Sequence, residues 1–515
     1  MQLTKFLFLT DAQLKPRISV RGLLLLGALI HFGFSALLTL SVDEAHYALY
    51  AQRLALSYFD HPPLVGWVQW PLVYGNAPDW VLRLIPQACW WLASVMAWHL
   101  AEKLRLLIPS WANTIPRGAA GRWAVISILV APVMHVLGVG LLPDTLLLVI
   151  VLGIMQTTLQ LITAHTKNIT SHSTALPSLK YWLILGVWLG LAGLSKYTAV
   201  LFAIAVAGAL ILNLGWKVLV QRGPWVAVLI ASIMISPVLI WNAQHDWVSF
   251  SYQIKHSSGG SWNLKGVGVF VGLQIGAFGP LIVAMIIGVS KFLRQHPNRI
   301  IWGLSLFLIV PFLVTAYMAG GGRTLAHWLA PAWLAAIVLG ANPLALHWQQ
   351  GRRLALKIMV GLQAVLCGSA FVLIFFIGVP GLSAQHPIHQ KNPLADLWGW
   401  DQAGQLVQTL AKQQGLQTLS VSNWTLASRM AWYARPLPVQ VIDERFDQFD
   451  IWFGNPEKNQ NTLWVNWSQV PYKVPVSNQH YARCIELDRL LVQRLGRVTS
   501  TFTFYRCEDW LGNGK

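Results

Sequence analysis

The sequence predicts a polytopic α-helical membrane protein that ends in a small soluble α/β domain. Three observations predict it. Of the 515 residues, 55% are hydrophobic and only 11% charged, with a mean hydropathy of +0.51, whereas soluble domains carry about 25% charged residues. Apolar runs close to the roughly 20 residues needed to span a bilayer recur through the first three quarters of the chain. After residue 379 the runs stop and charged residues return.

Eleven runs read as spans: 22–40, 80–100, 123–142, 145–164, 181–195, 197–214, 225–241, 267–290, 300–318, 328–346 and 358–378. The first is of span length and is followed directly by Ser41-Val42-Asp43-Glu44, which fits an uncleaved signal anchor better than a cleaved leader. The fifth and sixth are separated only by Lys196, in an otherwise continuous apolar stretch. Merging them would invert every later loop.

Charge decides that point. With the N-terminus in the cytoplasm, the first segment and the loops at 102–122, 165–180, 215–222, 291–299 and 347–357 hold 18 Lys/Arg; the outward loops hold five: Arg53, Lys196, Lys255, Lys265 and Arg323. This is a positive-inside distribution, and it favours a turn at Lys196. It also accounts for most of the net charge of +18, so no nucleic-acid partner is expected.

Acidic residues carry a different message. Residues 1–379 contain only eight, and six of them (Asp43, Glu44, Asp60, Asp79, Asp144, Asp246) fall on the outer side. Orientation rules give Asp and Glu little weight. Their clustering therefore points to a carboxylate-rich outward site, with ordinary solvated loop charge as the alternative.

Residues 380–515 carry 13 Lys/Arg and 11 Asp/Glu and no span-length run. Helical spacing over 400–413 and 423–433 alternates with strand-like 417–421 and 437–442, as in a small α/β unit. The expected domains are thus 1–379, transmembrane and including an outward loop at 41–79, and 380–515, soluble and periplasmic. Cys89 and Cys367 lie within spans and read as small buried hydrophobes. Cys484 and Cys507 lie in the outward domain, where a disulfide is permitted, although sequence does not fix their separation.

The loop at 41–75 is too long for a connector. Tyr47, Tyr50, Leu54 and Tyr58 recur at roughly helical spacing, and Trp67 and Trp70 mark an amphipathic stretch suited to headgroup depth. It contains DEAHY (43–47) and YFDHPPLVGW (58–67). Further on stand LLPDTLLLV (141–149), GLSKYTAVLF (193–202), WNAQHDWVSFSYQIKH (241–256), HWLAPAW (327–333) and NPLADLWGWDQ (392–402). In this order the motifs resemble the glycosyltransferase family 39 and aminoarabinose-transferase group of GT-C integral-membrane enzymes. The resemblance implies a GT-C fold of about eleven transmembrane helices. It also implies transfer of a sugar from a polyprenyl-phosphate donor to an acceptor hydroxyl or phosphate at the outer face of the inner membrane.

Displacement at an anomeric carbon passes through an oxocarbenium-like state, and a phosphate leaves without general-acid help. One carboxylate base and some cations then suffice. The resemblance puts the catalytic Asp at Asp43, with Glu44 orienting the site; helix capping is the competing reading of Asp43. The motif match gives Asp144 a second-carboxylate or acceptor-orienting role, against a simple Pro-Asp turn. Donor phosphate is expected at Lys255, Lys196, Arg323 and His61. Lys255 stands where the family usually has Arg, and Lys196 could instead snorkel to the surface. Asp60-His61 replaces the Glu-Lys pair that aminoarabinose transferases carry before Pro-Pro, which argues against aminoarabinose itself as the sugar. Asp60, His61, His245 and His256 could hold a divalent ion (Zn, Mg or Mn), or be solvated loop residues.

The expectation is a hexosyl- or pentosyltransferase with a lipid-phosphate-linked donor and a lipid A, lipopolysaccharide or other cell-surface glycan acceptor. A protein O-glycosyltransferase and a transporter or flippase of lipid-linked sugars are the alternatives. Transporters place ionisable groups near the membrane midplane. Here the carboxylates gather at one face.

Overall fold

A computed structural model describes residues 19–170, 178–258, 261–322, 324–376, 393–469 and 480–512. Helices dominate up to Phe376. They are α1 (Val20–Leu37), α2 (Val42–Gln52), α3 (Leu64–Tyr74), α4 (Leu84–Leu107), α5 (Ala119–Leu129), α6 (Pro132–Val139), α7 (Pro143–Thr170), α8 (Leu179–Ser195), α9 (Val200–Leu214) and α10 (Arg222–Gln244). They continue with α11 (Val248–Ser258), α12 (Leu264–Phe278), α13 (Leu281–Gln295), α14 (Arg299–Gly321), α15 (Ala330–Gln349) and α16 (Arg353–Phe376). Among the described residues seven helices are long and apolar enough to cross a membrane, or nine if two bent pairs each count as one span. The chain is a multi-pass membrane protein. α15 is the central helix, buried along nearly its whole length, and α16 lies at the periphery.

Two spans read as continuous in the sequence are sharply broken. The 123–142 run is α5 and α6, bent by 75°, and the 267–290 run is α12 and α13, bent by 102°. Pro132 opens α6, where its missing N–H interrupts the helical ladder. At the second break Gly279 takes φ +82° before Pro280, a conformation suited to glycine.

Exposed backbone at these breaks would be costly inside a membrane, and Gln363 of α16 satisfies it. Its Oε1 accepts the Leu281 N–H at 2.7 Å, and its Nε2 donates to the carbonyls of Phe278 (3.0 Å) and Val130 (3.5 Å). A Cβ on Gly279 would fall 2.1 Å from Gln363 Cδ, so this position needs glycine for space as well as for φ.

The turn expected at Lys196 is present: α8 ends at Ser195, Lys196 is extended, and a 3-10 turn at Tyr197–Ala199 leads into α9.

Beyond residue 393 lie α17 (Trp400–Gln414), α18 (Trp424–Tyr433) and α19 (Gln448–Phe453). With them are β1 (Leu419–Val421), β2 (Val439–Val441), β3 (Thr462–Trp467), β4 (Tyr481–Arg494) and β5 (Arg497–Trp510). The sheet order is β2-β1-β3-β5-β4; β1 pairs in parallel with β2 and β3, and β5 runs antiparallel to β3 and β4. The β4–β5 turn places Leu495 and Gly496 at φ +51° and +74°, as a two-residue primed hairpin requires. Cys484 and Cys507 face each other across that hairpin and form a disulfide.

This domain docks on the loop segment at 38–79 through specific bonds. Asp79 accepts from Trp432 Nε1 (3.0 Å) and the Tyr433 hydroxyl (2.5 Å), and the Leu40 N–H donates to Tyr433 Oη at 2.7 Å. Thr39 donates from N and Oγ1 to the Leu397 carbonyl at 3.1 and 2.8 Å.

Candidate active site

α2 begins with a capping box: the Ser41 hydroxyl accepts the Glu44 N–H while Glu44 accepts the Ser41 N–H, satisfying two orphan donors reciprocally. Ser41, not Asp43, is thus the N-cap. The helix then divides its acidic pair between two faces.

Glu44 turns away from the solvent-facing chemistry. Buried, it meets Arg83 at 2.7 and 2.9 Å, and Arg83 also donates to the carbonyls of Ser35 (3.3 Å), Leu38 (2.6 Å) and Thr39 (2.9 Å) at the end of α1. Glu44, the residue expected to orient the site, stands with Arg83 and in the capping box of the helix that carries Asp43. Its carboxylate compensates the charge of the arginine that caps α1, and it does not line the cavity described next.

A cavity of about 460 Å³ lies between the membrane helices and the soluble domain. Asp43, His46 and Tyr47 of α2, Asp60 and His61 of the following loop, Asp144, Lys196, Tyr252, His327, Trp424, Arg445, Asp447 and Gln448 are among its walls. Three groups can be distinguished.

Asp43 is the carboxylate on the α2 wall. Burial raises its carboxyl above the usual Asp range, opposed by His327, His46 and His61 and reinforced by Asp60.

The second group centres on Asp60. It accepts from the Tyr50 hydroxyl and from His61 Nδ1 (3.1 Å), while His46 Nε2 approaches to 3.5 Å and His46 Nδ1 meets Ser428 Oγ at 3.1 Å. Burial pushes the Asp60 carboxyl up, but the two histidines outweigh it and hold Asp60 well below the ordinary range. His46 thereby connects the soluble domain to Asp60.

The third group is Asp144, on the first turn of α7, whose two oxygens receive Lys196 Nζ at 2.8 and 2.7 Å; His327 Nε2 lies 3.7 Å away. Both charges of the pair are buried. Lys196 does not snorkel, because Asp144 and the Trp328 ring, 5.3 Å from Nζ, hold it inside.

The soluble domain supplies the remaining wall. Arg445 donates to the Tyr252 hydroxyl at 3.1 Å. Asp447 caps α19 by accepting the Phe449 N–H at 2.7 Å. Burial pushes its carboxyl up to about 6; the Phe449 N–H and His46 oppose this, while Asp450 and Asp443 add to it. Phe59 N–H donates to Gln448 Oε1 at 2.7 Å.

Of the four residues expected to share a metal, the three whose side chains are described do not converge. Asp60 and His61 meet, but the His245 ring stacks on Trp241 at 4.0 Å and its Nδ1 is bonded to the Trp241 carbonyl, so His245 is removed from the set. The His256 side chain, like those of Lys255 and Arg323, lies outside the described residues. Among the described residues no group of three or more His, Cys, Asp or Glu is arranged to hold a metal ion.

Sequence reasoning missed His46, His327, Arg445, Asp447 and Gln448. His46 and His327 lie inside motifs already singled out, DEAHY and HWLAPAW, and two histidines beside scarce carboxylates were a usable signal. The soluble-domain residues carried none.

Residues 60–241 match the family described as dolichyl-phosphate-mannose-protein mannosyltransferase. The chain is 28% identical over 327 residues to the lipid A galacturonosyltransferase RgtD of Rhizobium johnstonii, an alignment covering 62% of this chain and 63% of that protein. It thus spans about 63% of the length of that relative. ArnT from Cupriavidus metallidurans, solved in the apo state and bound to undecaprenyl phosphate, aligns with a TM-score of 0.59 at 14% identity over 94% of this chain and 97% of that one. The archaeal oligosaccharyltransferase AglB from Archaeoglobus fulgidus, in complex with an inhibitory peptide and a dolichol-phosphate, aligns with a TM-score of 0.51 at 13% identity over 81% of this chain and 64% of its own. The chain has the GT-C fold, and the resemblance seen in the sequence is borne out.

Proposed function

We propose that this protein is an inner-membrane glycosyltransferase that moves a sugar from a polyprenyl-phosphate donor to lipid A, lipopolysaccharide or another cell-surface glycan. The observation that carries the reading is the cavity itself: four aspartates, one lysine, one arginine and three histidines converge between a membrane bundle and a soluble domain. The similarity to RgtD supports lipid A as the acceptor class. The positive-inside charge distribution supports an extracytoplasmic cavity.

In this reading Asp43 takes the proton of an acceptor hydroxyl as its oxygen bonds to the anomeric carbon. The bond from that carbon to the donor phosphate oxygen breaks, and its electron pair leaves with the polyprenyl phosphate. A carboxyl raised by burial suits this step, because a base works best when its pKa approaches the working pH. Lys196 and His61 line the cavity as proposed donor-phosphate groups, and Lys255 and Arg323 remain proposed for the same role. Lys196 reaches a phosphate only while shared with Asp144, so Asp144 sets its position and tempers its charge.

The test is transfer of labelled sugar from a defined polyprenyl-phosphate donor by purified protein, with Asp43→Asn alongside. Transfer by the wild type that the variant retains in full would overturn the base assignment. Translocation of the lipid-linked sugar in proteoliposomes without a glycosylated product would overturn the enzyme reading in favour of a transporter.

A further inference from the structure

The wall that the soluble domain contributes contains a polar group whose partner is missing. Asp447 is 3% exposed. Its Oδ1 is occupied by the Phe449 N–H, whereas Oδ2 is buried with no hydrogen-bond partner among the described residues. A buried oxygen left this way loses its hydration without replacement, and such atoms in native proteins call for an explanation such as a ligand. The capping role does not explain it, since one oxygen suffices to cap.

The neighbouring residue offers the complementary group. Gln448 is 2% exposed and lines the same cavity. The Phe59 N–H occupies its Oε1 and so fixes which end of the amide is an acceptor. That leaves Nε2 as the donor end of the amide. An acceptor and a donor on successive residues match two adjacent hydroxyls of a sugar, each of which can both give and take a hydrogen bond. Trp424, in the same wall, adds a flat apolar face of the kind that packs against a sugar ring. Its indole lies edge-on to His46, with ring centroids 5.6 Å apart.

We propose that Asp447, Gln448 and Trp424 form a sugar subsite on the soluble domain, in which Asp447 Oδ2 accepts and Gln448 Nε2 donates to a pair of vicinal hydroxyls. The subsite rests on the glycosyltransferase reading for its purpose, though not for its chemistry. The sugar it holds belongs either to the donor or to the acceptor, and the chemistry is the same for both. The soluble domain is then part of the binding site and not only a cover over it.

Asp447→Asn is the informative substitution. It keeps an oxygen to cap α19 and turns the other terminal atom from an acceptor into a donor. Asp447→Ser keeps a capping oxygen and deletes Oδ2 altogether. If Asp447 only caps, both variants match the wild type. The subsite predicts that Asp447→Asn and Asp447→Ser each raise KM about tenfold for one substrate with kcat little changed, the pattern of lost ground-state and transition-state binding alike. A rise for the donor places the donor sugar there; a rise for the acceptor places the acceptor sugar there. Unchanged KM for both substrates in both variants would overturn the proposal.

A second measurement separates this proposal from the reaction. Binding of methyl glycosides with cis or trans vicinal hydroxyls, and of their monodeoxy analogues, is followed by saturation-transfer NMR on the full-length protein in nanodiscs. Binding to the wild type that weakens about tenfold in Asp447→Asn, and in the analogue lacking one hydroxyl of the pair, supports the subsite even if no transfer is found with the donors tried. Absence of binding to the wild type, or equal binding to the variant, overturns it even if transfer is robust.

Discussion

Asp43 and Glu44 are adjacent in the chain and opposite in use. Asp43→Asn is expected to lower kcat/KM by about two to four orders of magnitude, the usual worth of a positioned base, and labelled-sugar transfer measures it. Burial raises the Asp43 carboxyl, so its basic form appears only above a pH higher than that of an ordinary aspartate. Activity should therefore fall as pH drops through this raised value. His327 is the strongest of the charges opposing the rise, and His327→Gln should move the acid limb of the kcat/KM profile to higher pH. An acid limb that stays in place would separate that limb from Asp43. The Asp144–Lys196 pair makes a different prediction. Removing either partner strands a buried charge and should cost about 3–5 kcal/mol of stability, while the double replacement by Asn and Gln should cost clearly less than the two singles together. Denaturant unfolding in detergent reads both.

At the scale of elements, helix ends and helix breaks are where polar residues were placed inside the membrane. Arg83 satisfies carbonyls at the end of α1, and Glu44 satisfies Arg83. Gln363 reaches from α16 to both broken spans. Gln363→Leu keeps the apolar character of α16 but deprives a buried N–H and two carbonyls of their partner, and it should destabilise the protein by about 2 kcal/mol or more. Thermal unfolding in detergent tests this, with an exposed α16 position such as Leu362→Ala as the control for local packing. Periodicity located both broken spans, because each half is apolar. It could not give the bends of 75° and 102°, because Pro132 and Pro280 are also compatible with a kinked continuous helix. The choice was made by a glutamine more than 80 residues away.

For the whole molecule the decisive feature is that the cavity has two owners. Asp79 fastens α18 to the membrane part through Trp432 and Tyr433. Asp79→Ala should loosen that attachment by about 1–3 kcal/mol. The expected result is faster proteolysis of the loop at 38–79 and reduced sugar transfer, with the helical circular dichroism signal preserved. Transfer is also expected to survive chelation of divalent ions, because Asp60 is already engaged by Tyr50, His46 and His61. Loss of activity on chelation and its recovery on adding back one metal would overturn that expectation.

Composition and patterning by themselves determined the membrane class, the place of every apolar run, the turn at Lys196 and the scarcity of acidic residues against which Asp43, Asp60 and Asp144 stand out. All of these follow from the cost of burying charge in lipid, which a linear sequence displays as scarcity and position. Tertiary structure alone decided that Glu44 belongs to Arg83, that Asp144 restrains Lys196, that His245 stands apart and that Asp447 completes the cavity. A hydrogen bond or an ion pair is a matter of a few ångströms between groups far apart in the chain. Only the packing of helices and the docking of the soluble domain bring such groups within that distance.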